Sequence, residues 1–335
     1  MDLSECTLQP LSFGAVDADY SGSLDLIVAV GGSNVHVLDP ATLAVTNVEL
    51  PLEGSSISVG PDGLSAAVSH AGSISIVDLV ANSVAKTIST STTEAGDVVM
   101  ANNGYAYLIP AYGDPVRVHS VELASGVDHS SGGGDVAAGS LAKLHPASGI
   151  LYGVEHISTW NLLRWDLSDD VAAGPARPGD VPGAPDAPAG SLCGDLWLDT
   201  TGEQLVTGCG GVFRTAPGAP DDLTGIGVFE DIVPSDPVDV RYRSMAHVAS
   251  KDRWYAIPGQ QYLSPAGEER EVSIDVFDAN SLTLQATLSL PCLASESNGL
   301  KARGSFVFAS ADGTSIYVLA EPLNQPLGLA VFEVE

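Results

Sequence analysis

Short apolar runs separated by turn residues recur along the whole chain, and no stretch keeps a helical period. Residues 24–28, 105–109, 150–152, 254–257 and 315–319 are rich in β-branched or aromatic side chains. Each follows a tight-turn signal. Seven such signals stand in the sequence: Ser21-Gly22, Pro61-Asp62-Gly63, Asn103-Gly104, Ser148-Gly149, Thr201-Gly202, Lys251-Asp252 and Asp312-Gly313. These residue types tolerate or pre-set the backbone angles of hairpin turns. Further strand-like runs close on an acid, as at Asp39, Asp78, Asp166 and Asp278, and their alternation fits half-buried strands.

The turns recur at steps of roughly 40–60 residues, the period of a propeller blade. The pattern predicts an all-β fold, a seven-bladed β-propeller of four-stranded blades, with residues 1–335 forming a single domain. Two steps are long. Residues 172–188, dense in Pro, Ala, Gly and Asp, read as an excursion between blades; residues 259–270 read as a polar loop between strands. The last blade is one strand short at its C-terminal end. Residues 6–11, ahead of the first blade, are expected to supply that strand and so remove an open sheet edge.

The phrases around Gly60-Pro61-Asp62-Gly63 and Ala311-Asp312-Gly313-Thr314 resemble the YVTN-type repeats of bacterial surface propellers. That resemblance implies the fold and a place at the cell surface; it names no ligand.

Charge narrows the partners. The chain carries 42 acidic and 13 basic residues, a formal net charge of −29. A body this acidic repels nucleic acid and anionic lipid. No apolar run approaches the length of a membrane-spanning helix. The start, Met1 to Glu5, is acidic and lacks the apolar segment of a signal peptide; the expectation is an exported chain, extracellular, periplasmic or at the cell surface, whose leader has been removed.

Candidate chemistry is sparse. Asp17, Asp19, Ser21, Ser23 and Asp25 place oxygen donors at alternate positions around Gly22, as a hard cation requires. The run resembles the calcium loops of FG-GAP propeller repeats, with Ser21 in place of one acid, and the resemblance implies Ca²⁺ held in a blade hairpin. A metal-free acidic turn is the other reading. Cys193 and Cys209 flank the turn at 200–203 almost symmetrically, so an antiparallel hairpin sets them opposite one another at disulfide distance. Cys6 and Cys292 would then staple the closing strand. The histidines 119, 129, 145 and 156 have no zinc spacing. Gly132 to Asp135 does not open a helix, which removes a phosphate loop.

Seven of the 13 basic residues fall between 241 and 303. Arg241, Arg243, Lys301 and Arg303 are expected where the innermost strands of two blades begin. With Tyr112, Trp160 and Tyr262 in loops on the same face, they suggest a surface for an acidic glycan, a peptide or a protein ligand. The leading reading is a non-catalytic binding or scaffold propeller. The alternative is a lactonase-like or lyase-like hydrolase using channel-mouth groups such as Glu155, His156, Asp195 and His247.

Overall fold

The computed structural model describes residues 8–113, 116–130, 136–155, 161–167, 191–229, 242–259, 273–290, 303–321 and 327–334. They form seven antiparallel sheets in a seven-bladed β-propeller arrangement. A single 3₁₀ turn, Ala249–Lys251, is the only helical element among them. The chain divides into two compact units, residues 15–183 and residues 1–14 with 184–335.

The first unit holds four blades. Blade 1 is β2 (Asp17–Ser21), β3 (Leu26–Gly31), β4 (Asn34–Leu38) and β5 (Val45–Glu49). Blade 2 is β6 (Ser56–Val59), β7 (Ser65–His70), β8 (Ser73–Asp78) and β9 (Ser83–Ser89). Blade 3 is β10 (Ala95–Met100), β11 (Tyr105–Pro110), β12 (His119–Glu122) and β13 (Asp128–Ser130). Blade 4 shows β14 (Leu141–Leu144), β15 (Ile150–Val154) and β16 (Leu162–Asp166). The fourth strand expected there, like the excursion at 172–188, lies outside the described residues.

The second unit holds three blades. Blade 5 is β17 (Leu196–Leu198), β18 (Gln204–Thr207), β19 (Gly211–Arg214) and β20 (Gly225–Val228). Blade 6 is β21 (Tyr242–Val248), β22 (Arg253–Pro258), β23 (Ser273–Asp278) and β24 (Leu284–Ser289). Blade 7 is β25 (Arg303–Ala309), β26 (Ser315–Glu321) and β27 (Gly328–Glu333), completed by β1 (Gln9–Pro10).

The closing strand is the one the sequence implied. Gln9 pairs with Leu329 and Pro10 with Gly328, and the Leu11 N–H donates to the Leu327 carbonyl at 2.7 Å. Leu8 is buried in the core shared by blades 6 and 7, with Val307, Val318 and Phe332. Gly328 makes room for it: a Cβ there would stand 2.4 Å from Leu8 Cγ.

All seven turn signals fall between the first and second strands of a blade. A second turn type, between third and fourth strands, is built on the acids that end the third strand. Asp39 Oδ1 accepts the N–H groups of Ala41 and Thr42, Asp78 Oδ1 those of Val80 and Ala81, and Asp278 Oδ1 those of Asn280 and Ser281. In each case the residue four positions later is left-handed: Leu43, Asn82 and Leu282, at φ 61°, 50° and 59°. Bonds to the ionised form hold Asp39 and Asp278 below the usual carboxylate range, through the Thr42 hydroxyl first at Asp39 and the Ser281 N–H first at Asp278.

These two turn types share one face of a blade. The N–H after the third strand donates to the first turn: Leu79 to Leu64 at 3.0 Å, Leu123 to Gly104 at 2.9 Å, Ala279 to Asp252 at 2.8 Å. The turns between second and third strands therefore lie on the other face, with the lead-in to the next blade. In blade 3 that is visible directly, because Val116 in the β11–β12 loop bridges Val136 ahead of β14, with N–O distances of 2.9 and 2.8 Å.

Candidate functional site

The innermost strand of each blade pairs with its second strand along one edge only. Its other edge presents N–H groups that no strand satisfies, and buried groups of that kind need partners. The preceding blade supplies them from side chains. Asp17 Oδ2 accepts the Ile57 N–H and the Ser56 hydroxyl, both at 2.9 Å, and Asp19 Oδ2 accepts the Val59 N–H at 2.7 Å. The Ser58 hydroxyl accepts the Met100 N–H at 3.1 Å, and Asp97 Oδ2 accepts the Ala142 N–H at 2.8 Å. In the second unit the Ser244 hydroxyl accepts the Val307 N–H at 3.0 Å. The polar side chains of the inner wall thus act as staples between blades.

Desolvation raises Asp17 and Asp19 above the ordinary carboxylate range, opposed first by the positive charge of Lys143 on β14 and then by their hydrogen bonds. Their remaining oxygens accept the N–H groups of Ala18 and Tyr20.

This bears on the expected calcium loop. Asp17, Asp19 and Ser21 lie within strand β2, and the turn proper begins at Gly22. Alternate residues of a strand share a face, which is why both carboxylates reach β6. The Ser21 hydroxyl donates to the Gly63 carbonyl at 2.5 Å, the Ser23 hydroxyl to the Asp62 carbonyl at 2.8 Å, and Asp25 accepts the Tyr20 hydroxyl. Among the described residues no three His, Cys, Asp or Glu side chains gather to hold an ion. The Asp17 and Asp19 oxygens are thus already committed to N–H and hydroxyl groups.

Cys193 and Cys209 form a disulfide with Cα atoms 5.2 Å apart, both buried. Cys209 sits in the tight β18–β19 turn, where the Gly210 N–H donates to the Thr207 carbonyl at 2.7 Å, and Cys193 leads into β17. Cys6 and Cys292 lie outside the described residues.

Of the groups considered for catalysis, those described have local duties. Glu155 accepts the Ala137 N–H at 3.2 Å and the Asn161 amide at 2.9 Å. Asp195 Oδ1 accepts the Leu196 N–H at 2.7 Å. His247 lies against Trp254, ring centroids 5.0 Å apart, with the Thr200 hydroxyl 3.3 Å from its Nδ1. Burial holds His247 below its usual range, against the charges of Asp199 and Asp252. His156 lies outside the described residues.

One constellation escaped the sequence reading. Ser91, His119 and Asp128 meet beside blade 3, with His119 Nδ1 2.9 Å from Asp128 Oδ1 and the Ser91 hydroxyl donating to Asp128 Oδ2 at 2.7 Å. The serine contact to the ring, 3.4 Å, is also to Nδ1. A nucleophilic triad needs the hydroxyl on the opposite ring nitrogen from the acid, so this cluster ties the lead-in segment to β12 and β13 instead. No spacing in the sequence announces it.

The proposed ligand contacts are placed as follows. Tyr112 stands at the start of the β11–β12 loop, 72% exposed. Arg117, exposed on the same loop, was not singled out from sequence. Arg243 is exposed at the beginning of β21, inside a bulge between Tyr242 and Ser244. Arg303 opens β25 opposite Glu321. Trp160, Arg241, Tyr262 and Lys301 lie outside the described residues. No helix among the described residues is long and apolar enough to cross a membrane.

No family model matches this sequence, and neither does any curated protein. The fold does have relatives among solved structures. The β-propeller domain of Cps50 (Swd1) from Myceliophteria thermophila superimposes with a TM-score of 0.68 at 11% identity, over 99% of this chain and 100% of that one. Hydrazine synthase of Kuenenia stuttgartiensis gives 0.64 at 13% identity, covering 100% of this chain and 99% of that one. A chain of the mitotic checkpoint complex gives 0.63 at 13%, covering 99% and 92%. At such identities the likeness is one of fold.

Proposed function

We propose that this chain is a non-catalytic binding propeller of the cell exterior, whose ligand contacts lie on the turns between second and third strands. The observation that carries the reading is Tyr112, a large aromatic side chain 72% exposed on a loop that the Val116–Val136 bridge ties to the next blade. An aromatic side chain, with two rotatable bonds, loses little entropy on binding, and Tyr and Arg are among the residue types enriched at binding hot spots. Arg117 on the same loop adds a planar donor for carboxylates. Arg243, Trp160, Arg241, Tyr262 and Arg303 are further candidates, each to be examined separately.

The Cys193–Cys209 disulfide supports export, because such bridges persist in oxidising compartments. The ligand class is an acidic glycan, a peptide carboxylate or a partner protein. Glycan and peptide arrays probed with the purified chain test the proposal: at least one class is retained, and Tyr112→Ala/Arg117→Ala weakens it about tenfold. Turnover of a lactone or polysaccharide, lost on substitution of Glu155, Asp195 or His247, would support the hydrolase reading instead.

A further inference from the structure

The opposite face of the first three blades carries a second surface. Leu43, Leu64, Val80 and Val127 are exposed by 39%, 43%, 64% and 46%, and each sits in or beside a turn between first and second or third and fourth strands. Several of these turns are bound to one another. The Leu79 N–H, next to Val80, donates to the Leu64 carbonyl. Ser21 and Ser23 fix the first turn of blade 1 to the Gly63 and Asp62 carbonyls of blade 2. Lys86 Nζ donates to the Leu123 and Ala124 carbonyls, at 3.1 and 3.0 Å, in the turn that leads to Val127. The result is a set of exposed apolar side chains on one face, with the turns that carry Leu64, Val80 and Val127 braced.

The charge around these side chains is predominantly negative. Lys86 is the only Lys or Arg between residues 1 and 116, and its ammonium is turned onto those two carbonyls. Exposed Asp62 stands beside Leu64, and Asp39 and Asp78 begin the turns that carry Leu43 and Val80. Apolar contacts in a negative field suit a partner with the complementary pattern. We propose that this face docks a segment of another protein in which Lys or Arg alternate with bulky aliphatic residues. The apolar side chains would give affinity, and the field would give orientation and a fast encounter. The surface is separate from the Tyr112 loop and does not depend on the function proposed for it.

The test uses the full chain and two fluorescent synthetic peptides of equal charge, one of Leu and Lys, the other of Ser and Lys, at about 150 mM salt, where long-range attraction alone is screened. The Leu–Lys peptide should bind about tenfold more tightly than the Ser–Lys peptide. Leu64→Ser/Val80→Ser, which leaves the charge untouched, should abolish that difference, while Tyr112→Ala keeps it. Hydrogen exchange on the wild-type chain should show slowed amides at 60–64 and 79–82 with the Leu–Lys peptide. Equal binding of the two peptides, a preference that survives the double substitution, or protection elsewhere would overturn the proposal. So would light scattering that finds a wild-type dimer dissolved by the double substitution, since the occupant would then be a second copy of this chain.

Discussion

Asp19 and Val59 are forty residues apart, and the Asp19 carboxylate accepts the Val59 N–H at 2.7 Å across the gap between the first two blades. With Asp17 on Ile57 and Asp97 on Ala142, it belongs to a series in which one blade's side chain completes the next blade's inner edge. Replacing Asp19 by Ala leaves that N–H unsatisfied, at a cost of about 1–3 kcal/mol. Asp19→Asn keeps one acceptor and removes a charge that desolvation disfavours, so at pH 7 it should be no less stable than the wild type. Chemical denaturation of both variants checks this. An Asn variant as weak as the Ala variant would show that the charge itself holds the blades together.

The same carboxylates set a pH dependence of unusual sign. Desolvation raises Asp17 and Asp19 in the folded state, so their contribution is greatest below the unfolded carboxylate value and is lost as pH rises through the raised value. Asp39 and Asp278 are lowered, and theirs is present above the unfolded value and lost as pH falls through the lowered one. As pH falls from neutral toward the unfolded carboxylate value, the wild type should therefore gain melting temperature relative to Asp17→Asn/Asp19→Asn, a difference in which the opposing contribution of His247, common to both chains, cancels. A double variant with an unchanged slope would place the titration elsewhere.

Calcium provides an independent check on the hairpin at 17–25. A ligand that binds only the native state at a hundred times its Kd adds about 2.7 kcal/mol. Because Asp17 and Asp19 are already engaged with β6, melting curves in calcium and in EDTA should coincide. A calcium-dependent rise abolished by Asp19→Ala would mean that the carboxylates leave their staples for the ion.

The disulfide closes a loop of 16 residues, worth about 3 kcal/mol in the chain-entropy account. Cys193→Ala/Cys209→Ala should lose roughly that much, and peptides containing Cys193 and Cys209 should be found linked when the protein is digested without reductant. Free, alkylated thiols at both positions in protein taken from its native compartment would remove the support for export.

At the closure, Leu8 is held where Gly328 leaves space. Leu8→Ala should cost about 2–5 kcal/mol, and Gly328→Ala should be comparably harmful because its Cβ meets Leu8. Removing residues 1–11 exposes the edge of β27 and should lower the melting temperature of the whole chain. A truncated chain that melts as the full one does would show that β1 contributes nothing to stability.

Much of this fold was legible in the sequence. The turn at Gly63 could be placed because a Gly at φ 70° follows Pro61-Asp62, and Cys193 and Cys209 could be paired because both flank one hairpin. What failed to show was contact between blades. Asp17-Ala18-Asp19 alternates as metal ligands do, and it also alternates as strand residues do; the choice rests on β6, whose unpaired N–H groups no local pattern reveals. Ser91, His119 and Asp128 were hidden for the same reason. Arg117 was passed over because nothing in its neighbours marks it as exposed beside Tyr112.

The central claim is that recognition belongs to the loops and that the inner-wall carboxylates hold the blades. Once an array ligand is in hand, its affinity for the wild type, Asp19→Asn and Tyr112→Ala/Arg117→Ala, measured side by side by calorimetry, tests this most directly. The account expects Asp19→Asn to bind as the wild type does and the loop variant to bind about tenfold more weakly. Loss of binding in Asp19→Asn with the loop variant unaffected would contradict it and move the site to the inner wall.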